Sequence, residues 1–107
     1  MAKDLDSVQS NIKEFCEKYD LSAPLEHRAL DLVSEVGEVA KEILKMSDYG
    51  KKPLRINDEI KSEIGDVFFV LTIIANQLDI SLDEALAAVL QKYEKRLLKG
   101  GAGSENE

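Results

Sequence analysis

Apolar residues recur along this chain at steps of three and four, and the recurrence divides it into four helical segments. Leu5, Val8, Ile12, Phe15 and Tyr19 mark an amphipathic helix over about residues 4–19, which Asp20-Leu21-Ser22-Ala23-Pro24 breaks. A second helix is predicted over residues 25–46, with Ala29, Leu32, Val33, Val36, Val39, Ala40 and Ile43 on its apolar side. The polar connection 47–53 follows, with Gly50 and Pro53 as breakers. Asn57 is the expected N-cap of a third helix, and Asp58 and Glu59 suit the positive end of its dipole. That helix carries Ile60, Ile64, Val67, Phe68, Leu71, Ile74, Ala75 and Leu78 on one face, while Phe69, Val70 and Ile73 cover much of the rest. A helix apolar nearly all round is buried all round. One small bundle cannot enclose it, so its second half is expected to pack against another subunit. The fourth helix starts at the capping box Ser81-Leu82-Asp83-Glu84, with Ile80 stapling to Ala85. Leu82, Leu86, Val89, Leu90, Tyr93 and Leu97 form its core stripe, and Gly100-Gly101 ends it. No stretch alternates as a strand does. The expected fold is all-α: a single helical domain over residues 1–99 and a disordered polar tail over 100–107.

Composition narrows the function classes. A chain of 107 residues makes one domain, small enough that oligomerisation would add to its stability. A formal charge of −7 argues against a surface that reads nucleic-acid backbones, though a small phosphorylated ligand stays open. The single cysteine, Cys16, excludes an intrachain disulfide and fits an intracellular setting, and its place between Phe15 and Glu17 is that of a small residue near the core. The amino terminus has no signal-peptide apolar region, and the longest apolar run, residues 67–75, is about half a membrane span. A soluble cytoplasmic protein with no membrane partner is expected.

The chemistry concentrates in two acidic clusters, Glu35-Val36-Gly37-Glu38 and Glu63-Ile64-Gly65-Asp66. Residues three apart share a helix face, so antiparallel packing of the second and third helices would bring four carboxylates together. Like charges that close repel and are costly to desolvate, and a divalent cation with a preference for oxygen ligands, Mg²⁺ above all, relieves both. The plainer alternative is solvated acids paired with Lys41, Lys45 or Lys61. Both clusters border the apolar face, and both enclose a glycine, which costs about 1 kcal/mol in a helix interior and lets another helix or a ligand approach the backbone. Asp31, Glu42 and Glu59 extend the acidic stripes and are expected at the periphery or in solvent.

Glu35-x-x-Glu38, 24 intervening residues and Glu63-x-x-Asp66 together resemble the signature of the MazG-like all-α nucleoside triphosphate pyrophosphohydrolases. The segments 29–41, 63–71 and 92–96 (Lys92-Tyr93-Glu94-Lys95-Arg96) resemble the family's motif helices, so the likeness covers about residues 25–98. It implies a four-helix bundle protomer assembled as a homodimer or homotetramer. It also implies Mg²⁺-dependent hydrolysis of a nucleoside triphosphate to the monophosphate and pyrophosphate, with Mn²⁺ as an alternative ion. Glu35, Glu38, Glu63 and Asp66 would be the metal ligands, and Glu35 or Glu38 would orient or deprotonate the attacking water.

Lys92 and Arg96, four apart near the end of the fourth helix, would clamp the polyphosphate, with Arg suited to bidentate contact. Otherwise they are cations drawn to a helix C-terminus by its dipole, as Lys95 and Lys99 are expected to be. Tyr93 would stack or fill the core. Asn76 resembles an asparagine that touches the nucleotide in some members, or else it bonds a neighbouring chain. His27 could face the base or stay at the surface. The chain has no tryptophan, so it lacks the aromatic pocket of some deoxycytidine-preferring relatives, and it carries one motif copy. Base and sugar specificity are left open. A di-iron protein would want Glu-x-x-His motifs, which are absent. A non-catalytic helical oligomerisation or nucleotide-sensing module is the remaining alternative.

Overall fold

The computed structural model describes residues 4–100, which form four helices: α1 (Leu5–Lys18), α2 (Leu25–Lys45), α3 (Glu59–Gln77) and α4 (Leu82–Leu98). Neither the first three residues nor the expected tail beyond residue 100 falls within the described part. Local chemistry sets the boundaries. The Asp4 carboxylate accepts from the Ser7 N–H at 2.7 Å and starts α1. The Asn57 carboxamide oxygen accepts from Ile60 N–H at 3.1 Å, while Asp58, at the N-cap position of α3, makes no side-chain bond. Ser81 caps α4 through the Glu84 N–H at 3.2 Å.

Three helices end on an aspartate in the left-handed region: Asp20 (φ 55°), Asp48 (φ 49°) and Asp79 (φ 57°). In each, the next residue's N–H turns back to a carbonyl five residues earlier: Leu21 to Cys16 at 2.9 Å, Tyr49 to Leu44 at 2.8 Å and Ile80 to Ala75 at 2.9 Å. These are Schellman closures, with aspartate where glycine is commoner.

α2 packs along α3, and α1 packs on α3 and on the start of α4. Val70, Ile73, Ala75 and the fully buried Thr72 of α3 make the centre, where the Thr72 hydroxyl donates to the Phe68 carbonyl at 2.7 Å. Phe15 of α1 meets Phe69 of α3 edge to face at 6.0 Å. Gln9 ties three helices together. Its amide NH₂ donates to the Asn76 side chain at 3.0 Å and to the Ile80 carbonyl at 2.8 Å, and its oxygen accepts from Leu82 N–H at 2.9 Å.

The four expected helices are present, but the protomer is open. α3 and α4 are bent by 102° at their junction, and the radius of gyration is 17.1 Å against about 13 Å for a compact chain of this length. The apolar stripe expected in the core on α4 has no buried residue, and Leu97 is 64% exposed. On α2 the apolar side is also largely uncovered: Val33 is 71% exposed, and the buried residue is the acid Glu42. α2 has one main neighbour, α3, and a helix covered on one side buries one stripe. Among the described residues no single helix is long and apolar enough to cross a membrane.

Candidate metal centre

Antiparallel packing of α2 on α3 brings the two acidic motifs face to face. One carboxylate oxygen each from Glu35, Glu63 and Asp66 lies within 4.8 Å of the others. Glu35 and Glu63 are half-buried and Asp66 is exposed, so the triad lines an open side of the helix pair. Glu38 is half-buried and falls outside this close set, yet its charge reaches Glu63. Partial burial, then Glu38, and after it Asp66, Glu35 and Glu42, hold the Glu63 carboxyl above the ordinary glutamate value.

None of the four motif carboxylates has a hydrogen bond or an ion pair with a cation among the described residues. The alternative of acids matched to neighbouring lysines therefore does not describe this site: Lys45 goes to Glu42 at 3.5 Å, and Lys41 and Lys61 form no ion pair there. Three hard oxygen donors, clustered and uncompensated, fit a divalent cation of the Mg²⁺ type. A Cβ added at Gly37 or Gly65 meets nothing within 4 Å, so no described part of the protomer uses the room those glycines leave.

Glu42 stands elsewhere than expected. Instead of facing solvent it is 7% exposed, accepts from the Asn57 NH₂ at 3.2 Å and from the Lys45 ammonium at 3.5 Å, and joins the end of α2 to the start of α3. Its signal in the sequence is the spacing Glu35, Glu38, Glu42, which continues one inward face. Asp31 is half-exposed and pairs with Arg28 at 3.5 Å, and Glu59 is exposed, both as expected.

The remaining singled-out residues do not join the triad. Asn76 sits ten residues beyond Asp66, about 15 Å along α3. Both ends of its amide are engaged by Gln9 of the same chain, the NH₂ donating to the Gln9 carbonyl at 3.1 Å. Lys92 and Arg96 flank the Tyr93 ring at 5.3 and 5.5 Å, a cation–π stack on α4. His27 is exposed near the start of α2, and Cys16 is a half-buried free thiol.

Comparison with known proteins places the chain among relatives of like sequence and fold. Over 92 residues the chain is 44% identical to YpjD of Bacillus subtilis (strain 168), covering 83% of this chain and 78% of that protein. It is 34% identical over 79 residues to the Gene 37 protein of Mycobacterium phage L5, covering 71% and 68%. Among solved structures it is similar to YPJD from Bacillus subtilis, with a TM-score of 0.73, 32% identity and coverage of 87% of this chain and 97% of that one. The Bacillus-conserved MazG protein, a nucleotide pyrophosphohydrolase, matches with a TM-score of 0.73, 28% identity and coverage of 87% and 92%. Residues 23–99 match the MazG nucleotide pyrophosphohydrolase domain, a span that holds α2, α3, α4 and all four motif carboxylates. With the acidic triad in place between α2 and α3, the chain belongs to the MazG nucleotide pyrophosphohydrolase family.

Proposed function

We propose that the protein is a Mg²⁺-dependent pyrophosphohydrolase that cleaves a ribo- or deoxyribonucleoside triphosphate to the monophosphate and pyrophosphate, as nucleotide-pool housekeeping in the cytoplasm. The convergence of Glu35, Glu63 and Asp66, with no cation among the described residues paired to them, is the observation that supports it most. These three and Glu38 are the residues that hold the ion. When bound, Mg²⁺ or Mn²⁺ supplies neutralisation of phosphate oxygens and a lowered pKa of water.

The chain's own residues divide the remaining work. Glu63 lies amid the other acids and holds its proton above the ordinary glutamate range, so its ionisation is coupled to filling the site. Glu38, outside the close triad, has an oxygen left to orient a water and accept its proton, with Glu35 as the alternative. Attack on the α-phosphorus breaks the α–β anhydride and releases pyrophosphate. Lys92 and Arg96 present two cations around Tyr93, which suits contact with the nucleotide. Asn76 is not assigned to substrate here, since Gln9 occupies its amide.

The exposed apolar faces point to self-association as a homodimer or homotetramer. Leu30 and Val33 on α2, Ile64 on α3 and Leu90 and Leu97 on α4 are each more than half exposed, a pattern that a second copy of the chain would cover.

The test is product analysis on a panel of ribo- and deoxyribonucleoside triphosphates, with Mg²⁺ and with chelator. Monophosphate and pyrophosphate, formed with metal only, are expected. Diphosphate and phosphate would show a different scissile bond. No product from any nucleotide, with the chain folded, would leave a nucleotide-sensing or oligomerisation module.

A further inference from the structure

The turn between α2 and α3 is a basic stretch of an acidic chain. From Lys45 to Arg55 it carries Lys45, Lys51, Lys52 and Arg55 against the single acid Asp48. It is also tightly folded. Lys52 N–H donates to the Ser47 carbonyl at 2.9 Å, Arg55 N–H to the Met46 carbonyl at 2.9 Å, and Gly50 N–H to the Ser47 hydroxyl at 3.0 Å. Asp48, Tyr49 and Gly50 are consecutive left-handed residues, with φ of 49°, 60° and 87°. Each non-glycine residue in that region costs about 1 kcal/mol, and the turn's bonds hold two of them.

This folded turn shapes a cavity of about 550 Å³, walled by Met46 and Leu54 and lined by Lys45, Asp48, Lys52 and Arg55. Lys45 is matched by Glu42, whereas Lys52 and Arg55 have no ion pair among the described residues. With Lys45 committed to Glu42, Lys52 and Arg55 are the two cations that line the cavity with Asp48, and they make it a pocket for an anion. Its position is the second observation. Glu35, Glu38, Glu42 and Lys45 follow one another at three, four and three residues, so one face of α2 carries both Glu35 of the triad and Lys45 of the cavity. Glu35 and Lys45 are ten residues apart, about 15 Å along the axis.

We propose, building on the pyrophosphohydrolase assignment above, that this cavity receives the two distal phosphates of the nucleotide, with Lys52 and Arg55 as their ligands. The pyrophosphate half of the substrate then lies along α2 away from the triad, and specificity for a triphosphate over a monophosphate arises in the turn.

Inorganic pyrophosphate, titrated without metal into the full chain, tests this calorimetrically, because the metal-free triad repels it and binding then reports on the cavity. The Lys52→Ala, Arg55→Ala double variant is expected to weaken pyrophosphate at least about thirtyfold, as loss of two charge-assisted contacts should. Asp48→Asn, which keeps a residue tolerant of positive φ, is expected to tighten it about threefold. In turnover assays the double variant should raise KM for a triphosphate while kcat changes less. Pyrophosphate binding that is absent in the native chain, or equal in native and double variant, overturns the proposal. So does an unchanged KM in an active enzyme. Because the titration needs no catalysis, it is read in the same way if no nucleotide proves to be a substrate, and the two failures stay distinct.

Discussion

The carboxylate of Glu42 accepts a hydrogen bond from Asn57 at 3.2 Å, and the other end of the same Asn57 side chain caps α3 at Ile60. One asparagine thus starts α3 and fastens it to the end of α2. Because Glu35 and Glu63 lie further along these same two helices, the Glu42–Asn57 bond sets the register at which the triad meets. Asn57→Ala should cost about 1–2 kcal/mol in urea unfolding, the worth of a lost cap. It should also weaken Mg²⁺ binding several-fold although Asn57 is no ligand. An unchanged Mg²⁺ affinity would show that register is set elsewhere.

Gln9 carries a comparable burden at the other end of the molecule. It is buried, and its side chain makes three hydrogen bonds to α3, α4 and the turn between them. Truncation in Gln9→Ala removes all three and strands the Leu82 N–H. A loss of about 2–3 kcal/mol in thermal or urea unfolding is expected. A smaller effect than a surface substitution gives would exclude the clamp.

Removing charge from the triad should separate folding from metal binding. Asp66→Asn and Glu38→Gln are expected to abolish turnover while leaving helicity by circular dichroism intact, since neither side chain bonds to the rest of the fold. Retained turnover in both variants would sink the metal-site assignment.

Glu63 gives the site a pH dependence of definite sign. Its carboxyl holds its proton to higher pH in the folded chain than in the unfolded one, through partial burial and then the charges of Glu38, Asp66, Glu35 and Glu42. Between those two pKa values the native state binds more protons, so metal-free stability falls as pH rises through the window just above the ordinary glutamate range. Mg²⁺ binding needs the ionised form and should strengthen over the same window. In Glu63→Gln both dependences should flatten, which melting curves with and without Mg²⁺ would register.

Gly37 offers a test of what covers the open face. A Cβ there meets nothing within 4 Å inside the protomer, so Gly37→Ala should stabilise α2 by about 0.5–1 kcal/mol if nothing else approaches. Destabilisation, or a shift toward smaller species in sedimentation, would place a second copy of the chain against that backbone.

Everything that depends on neighbours along the chain is readable from the order of residues alone. Asp4, Asn57 and Ser81 start helices by bonding N–H groups three residues on, and Asp20 breaks α1, so the element ends were legible without any tertiary contact. Spacing of three likewise put Glu35 with Glu38 and Glu63 with Asp66 on shared faces, because helical geometry alone dictates it. Tertiary structure decided which acids meet. Glu35, Glu63 and Asp66 form the close set with Glu38 beside Glu63, and Glu42 is drawn into burial, since the register of α2 on α3, set by a bond across a turn, is not encoded in either helix's own periodicity. The same holds for Gln9. Nothing in the periodicity of α1 singles it out, because its partners lie about seventy residues away. The exposed stripes of α2 and α4 carry the complementary lesson: periodicity announces that a face must be covered, and only packing shows that this chain alone does not cover it.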